Sequence, residues 1–179
     1  MANKNSSVRC VLVLLVIAIV CVFLLAVLND VLYVAPDMSV FAKAKEGEYA
    51  QVATKEVALK SGKIVLVSEG KTTDGKDVVG LYVEGNKYGK ADVFQLAIVV
   101  EKETDQIVGA YMITDGSTGG YYYDAAALQN AIGTEITSTN YLSYTELIFT
   151  GASSKNNSSF AVMNAFQTAA EYYKGAYND

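Results

Sequence analysis

The longest apolar run of the chain comes first: Cys10 to Leu28 is 19 consecutive residues without a charge, a proline or a glycine. As a helix this run spans about 28 Å, close to the roughly 30 Å of bilayer hydrocarbon, so the pattern predicts a transmembrane helix over 10–28. From Tyr49 onward the period shortens to two. Ala50–Val57, Lys63–Ser68 and Val78–Val83 alternate apolar with polar positions and predict strands, separated by Ser61-Gly62 and by the turn Thr72-Thr73-Asp74-Gly75-Lys76. Asp92–Glu101 and Gln106–Ile113 predict a hairpin turning around Glu103-Thr104-Asp105. The helical period returns near the C-terminus, where Val162, Ala165, Phe166, Ala169, Tyr172 and Tyr173 form one stripe and Asn157, Ser158 or Ser159 suits the N-cap. A shorter helix is predicted over Asp124–Ile132 and ended by Gly133, whereas residues 134–147 are polar and show no clear period.

A sheet with segregated helices is an α+β arrangement. The expected organisation is a cytoplasmic N-terminus (1–9), a single transmembrane helix (10–28), a stalk (29–48) containing a short helix over Met38–Ala44, and one extracytoplasmic antiparallel-sheet domain with flanking helices (49–179). A cleaved signal peptide is the competing reading of the first segment. Its apolar region is usually about 7–15 residues and ends at a small-x-small site, whereas this run ends Leu25-Ala26-Val27-Leu28-Asn29-Asp30. Lys4 and Arg9 precede the run and Asp30 and Asp37 follow it, which sets the N-terminus inside and the domain outside the cell membrane.

Residues 29–179 carry 12 Lys and Arg against all 19 Asp and Glu, a balance that argues against nucleic acid or an anionic membrane surface as partner. Both cysteines, Cys10 and Cys21, lie in the apolar run, and the chain has no histidine. Zinc, iron–sulfur and Cys- or His-based catalytic arrangements in the outer domain therefore lack their ligands or bases. Redox or transfer chemistry there requires an organic cofactor.

Two loops have the right chemistry to hold one. Thr150-Gly151-Ala152-Ser153-Ser154, followed by Ser158-Ser159, is a hydroxyl-rich entry to a helix. Unpaired N–H groups at such an entry suit a phosphate, although most Ser-rich entries are only caps. Gly119-Gly120 lets a backbone approach a ligand or marks only a turn, and Tyr121-Tyr122-Tyr123 beside it suits either ring stacking or the core. Gly85-Asn86-Lys87-Tyr88-Gly89 opens no helix after a strand and is not a dinucleotide fingerprint.

The order of these features is more specific than any one of them. The anchor, Val83-Glu84-Gly85-Asn86-Lys87-Tyr88-Gly89-Lys90, Gln106-Ile107-Val108-Gly109-Ala110-Tyr111, the Gly119-Gly120 turn, Thr150-Gly151-Ala152-Ser153 and the helix with Ala161-Val162 together resemble the FMN-binding domain family. That family includes the G subunit of the Rnf electron-transport complex and the C subunit of the sodium-translocating NADH:quinone reductase. The resemblance covers the anchor and most of residues 78–173. It implies FMN attached by a phosphoester to the last hydroxyl residue of the family's signature, Ser/Thr-Gly-Ala-Thr/Ser-x-Thr/Ser followed by Ser-x-Ala-Val. Read straight on, that position is Lys155; with about three residues inserted, it is Ser158. Where the family commonly has Glu-Thr-Pro-Gly-Leu-Gly, this chain has Gly116-Ser117-Thr118-Gly119-Gly120-Tyr121. The implied cofactor site comprises Thr118, Gly119, Gly120, Tyr121, Thr150, Gly151, Ala152, Ser153, Ser154, Ser158 and Ser159. The implied role is an electron-carrying subunit, with the other subunits of a membrane redox complex as partners. A cofactor-free accessory or structural subunit of a membrane complex with the same fold is the alternative, and a stand-alone extracytoplasmic sensor or substrate-binding domain is a third reading.

Overall fold

The computed structural model describes residues 4–32, 37–53, 56–86, 93–117, 123–147 and 157–177. The chain divides into two compact units, Met1–Asp37 and Met38–Asp179. The first contains helix α1, Lys4–Leu32, 29 residues long. Its described side chains run from Val11 to Leu25 and all are exposed. Among the described residues, no helix is long and apolar enough to cross a membrane.

The second unit is an α+β domain. Its sheet contains β1 (Gly47–Ala53), β2 (Val57–Ala58), β3 (Gly62–Thr72), β4 (Asp77–Gly85), β5 (Phe94–Glu101) and β6 (Ile107–Thr114), in the order β1-β3-β4-β5-β6, with β2 pairing β3 beside β1. Every pairing is antiparallel, and the β4–β5 register runs without a bulge from Val78 opposite Glu101 to Gly85 opposite Phe94. The β2–β3, β3–β4, β4–β5 and β5–β6 pairs join sequential strands through short connections, which pair antiparallel, whereas β1 pairs β3 past the short β2. The expected hairpin forms with its turn where predicted. The first strand begins at Gly47 rather than Ala50, and its predicted C-terminal part is the separate short strand β2.

Both faces of the sheet are covered, so β5 does not alternate: Leu96, Ala97, Ile98, Val99 and Val100 are all buried. On one face Ile64, Leu81, Val83, Leu96 and Ile98 pack against the terminal helix α3 (Asn157–Tyr177) and the 3-10 segments Ala125–Ala131, Tyr141–Ser143 and Thr145–Leu147. The stripe expected for α3 supplies its side of that core: Val162, Ala165, Phe166, Ala169 and Tyr173 are buried. The opposite face carries helix α2 (Ser39–Ala44), whose Val40 and Phe41 are buried among Leu66, Val78, Ala97 and Val99. Burial of a Phe side chain is worth about 1.5–3 kcal/mol, and six residues alone do not sustain a helix. Docking therefore makes α2. Residues 38–48, expected to belong to a stalk, are part of the second compact unit.

Two glycines let the helices approach the sheet. A Cβ on Gly80 would lie 2.6 Å from Phe41 Cδ1, and one on Gly85 would lie 2.0 Å from the Ala161 carbonyl oxygen in α3. The helix predicted over Asp124–Ile132 is the 3-10 segment Ala125–Ala131. Asp124 caps it by accepting the Ala126 N–H at 3.0 Å, and Gly133 follows it with φ +84°. The polar stretch 134–147 is ordered around Tyr141, which is fully buried, stacks on Phe166 at 5.3 Å and shares a 2.9 Å hydroxyl contact with Thr134.

Candidate functional site

The end of the sheet where β4 stops and β5 starts also receives the C-terminal end of β6 and the first turns of α3. Gly85 lies against Ala161, and Asn164 Nδ2 donates to the Asn86 carbonyl at 3.3 Å. Of the expected cofactor residues, Thr118, Gly119, Gly120, Tyr121, Thr150, Gly151, Ala152, Ser153 and Ser154 lie outside the described residues, as does Lys155. Ser158 and Ser159 lie in the first turn of α3. The helix begins at Asn157, so these two serines are helical residues and not its N-cap.

Their environments separate them. Ser159 is fully buried, directed into the packed side of the helix, and has no room for a bulky phosphoryl substituent. Ser158 is half-buried, and its Oγ lies 3.5 Å from Ser117 Oγ, 41 residues earlier in the chain. Ser117 immediately precedes the Thr118–Tyr121 segment, so the flank of one expected half-site meets the described part of the other.

Three residues outside the expected cofactor site hold this junction, and one of them, Tyr123, takes the core position that the sequence left open for it. Asp115 accepts the Ser117 N–H at 2.8 Å through Oδ1 and the Tyr123 N–H at 3.2 Å through Oδ2. Ser117 Oγ also accepts the Tyr123 N–H at 2.9 Å. Tyr123, which is buried, donates its hydroxyl to the Leu147 carbonyl and meets Phe94 edge-on at 6.1 Å between ring centres. Burial, and secondarily the neighbouring Asp124 charge, push the Tyr123 phenol well above its ordinary range, so it remains a donor. One signal was available in the sequence: Asp followed two residues later by a backbone N–H within Asp-Gly-Ser is the pattern of an Asx turn. Nothing in the sequence linked Tyr123 to Leu147, because that contact depends on how the 3-10 segments fold back.

Electrostatically, the first turn of α3 has no acidic residue, and both carboxylate oxygens of Asp115 are already engaged by backbone N–H groups. A half-buried hydroxyl at the positive end of a 21-residue helix fits the phosphate end of a mononucleotide. At the other end of the sheet lies a second polar cluster. There Lys76 Nζ stands 3.0 Å from both carboxylate oxygens of Glu101, and Thr104 donates to Glu101 at 3.1 Å. This cluster joins the β3–β4 and β5–β6 turns and is a structural staple. Among the described residues, no group of His, Cys, Asp and Glu side chains is placed to hold a metal ion.

Compared with known proteins, the chain is matched by no family model, no curated protein and no solved structure.

Proposed function

We propose that this protein is a membrane-anchored, FMN-carrying electron-transfer subunit whose flavin phosphate is seated at Ser158. The observation that carries the reading is the approach of Ser117 to Ser158 at 3.5 Å. The two segments that the family resemblance assigns to one flavin are separated in sequence by the 3-10 segments, and their described flanks, 41 residues apart, meet. The uncharged run from Cys10 to Leu28 supports the anchor. A subunit of this kind works beside the other subunits of a membrane redox complex.

In this role bound FMN supplies the one- and two-electron chemistry. The chain's own residues bind and orient. The first turn of α3 presents backbone N–H groups and the Ser158 hydroxyl, Ser159 is turned into the core, and Asp115 with Ser117 holds the residues flanking 118–122. No acid–base dyad is required of the protein, which accords with a chain lacking histidine.

The test is intact mass and denatured-state fluorescence of the purified full chain. A mass higher by one FMN less one water, matching an ester between the flavin phosphate and a hydroxyl, is the expected result. The Ser158→Ala chain should lack both the added mass and the fluorescence. Unchanged fluorescence in that variant removes Ser158 from the attachment. A colourless, folded wild type that takes up no FMN overturns the flavin reading in favour of the cofactor-free accessory subunit.

A further inference from the structure

On the sheet face opposite α3, the strand registers set three rows of side chains next to one another. Gly80, Val99 and Gly109 stand opposite one another across β4, β5 and β6, and α2 covers this row, with Phe41 over Gly80 and Ala44 against Gly109. Tyr82, Ala97 and Tyr111 form the next row, and Glu84, Gln95 and Thr114 the one after. Successive rows are about 7 Å apart, two residues of strand rise. Among the described residues, α2 is the helix packed on this face. Beyond it Tyr82, Gln95 and Tyr111 are half-buried and Thr114 is exposed.

The hydrogen bonds of the polar row leave it rich in acceptors. Gln95 Oε1 accepts the hydroxyl protons of both Tyr82, at 3.0 Å, and Thr114, at 2.8 Å, and Gln95 Nε2 donates to Glu84 Oε2 at 3.1 Å. A hydroxyl has one proton and two lone pairs, so Tyr82 and Thr114 keep only lone pairs for whatever approaches them. The Lys63 ammonium is shared between Glu84 and Glu56, at 3.5 Å from each, and one cation between two carboxylates leaves the cluster negative. The complement to such a surface is a cation that only donates. Arginine is that group: its guanidinium has five N–H donors and no acceptor, forks onto carboxylates and stacks on aromatic rings. A tyrosine of this face already takes a cation, because the Lys43 ammonium of α2 lies 5.6 Å from the centre of the Tyr111 ring.

We propose that this face docks an arginine side chain of a partner protein, its guanidinium stacked on Tyr82 and forked onto Glu84. The two residues are two apart on β4 and share a face, a separation that an arginine side chain spans. Tyr111 and Ile113 continue the surface with further apolar side chains, more than a free amino acid covers, so the arginine belongs to a protein. The surface lies opposite α3, and its occupancy is independent of whether Ser158 holds a flavin.

The experiment uses the full chain in detergent micelles with isotope-labelled tyrosine rings, followed by NMR. The probe is the peptide Ac-Gly-Arg-Gly-NH2, and the lysine and citrulline peptides of the same form are its controls. Tyr82→Phe removes one ring signal and so identifies that of Tyr82. The arginine peptide should shift this signal, and the citrulline peptide, which keeps the stem and planar head without the charge, should bind about tenfold or more weakly. The lysine peptide should also bind more weakly, having no planar face to stack. Glu84→Gln should weaken arginine binding about tenfold while the unfolding midpoint moves little. Tyr82→Leu, which removes the ring, should abolish it; if that chain does not fold, Glu84→Gln carries the test alone. A Tyr82 signal unmoved by the arginine peptide at tens of millimolar overturns the proposal. Equal binding of the arginine peptide and either control overturns it too, as does unchanged affinity in Glu84→Gln.

Discussion

Tyr173, in the last turns of α3, donates its hydroxyl to Asp105 Oδ1 at 2.9 Å, and Asp105 stands in the β5–β6 turn with φ +55°. The residue that makes the hairpin turn is therefore also the anchor for the C-terminal end of the helix. Tyr177 continues the contact one turn later. It stacks on Tyr173 at 5.2 Å, reaches Glu69 at 3.3 Å and lies under the Lys102 ammonium, which is itself paired with Glu69 at 2.8 Å.

This double duty separates substitutions at Asp105. Asn tolerates the left-handed conformation and offers an equivalent acceptor, so Asp105→Asn should lie within about 0.5 kcal/mol of wild type. Asp105→Ala should cost about 2–3 kcal/mol, combining left-handed strain with the loss of the Tyr173 bond. Urea denaturation of the two variants checks this. Equal stability of the two would show that neither the conformation nor the bond matters.

The two close-packed glycines should respond unequally. At Gly80 the nearest obstacles to a new methyl group are the Ser68 hydroxyl and the ring of Phe41, which can give way by shifting α2. Gly80→Ala should cost about 1–3 kcal/mol. At Gly85 the obstacle is the backbone carbonyl of Ala161, within a helix packed along its length. Gly85→Ala should cost about 3 kcal/mol or more, and it should also disturb the first turn of α3, where Ser158 lies. Chemical denaturation ranks the pair; the reverse order would mean that α3 yields more easily than α2.

Alkaline unfolding should track the tyrosines that burial raises, Tyr49 and Tyr177 among them. Burial raises the Tyr49 phenol from its ordinary 10.0 to about 12. For Tyr177, burial together with the neighbouring Glu69 carboxylate does the same, to about 12. A pKa higher in the folded than in the unfolded chain contributes stability that is complete below the unfolded value and is lost as pH rises through the folded one. The unfolding temperature should therefore hold through pH 9 and fall between about pH 10 and 12. The Tyr49→Phe/Tyr177→Phe chain should fall less steeply. Burial raises Tyr123 and Tyr173 as well, so some decline should persist. An unchanged slope in the double variant would assign the alkaline loss to other groups.

Local pattern decided a large part of this protein. The alternation of Lys63–Ser68 and Val78–Val83, the Asp105 turn and the stripe from Val162 to Tyr173 each record a neighbour relation within a few residues. The strands, the hairpin and the terminal helix of the α+β domain are therefore legible in the order of residues alone. Asp115-Gly116-Ser117 belongs to the same class, since its Asx turn is made by adjacent residues. Tertiary structure alone decided the rest, because those relations join residues distant in the chain. Six residues from Ser39 to Ala44 look like part of a linker until Phe41 finds the sheet face over Gly80. Tyr141 looks like one tyrosine in a polar stretch until it stacks on Phe166. Ser158 and Ser159 are chemically equivalent in sequence. Only the packing of α3 directs one into the core and leaves the other beside Ser117, because a helix rotates successive side chains by about 100° and the sheet beneath fixes which direction is inward.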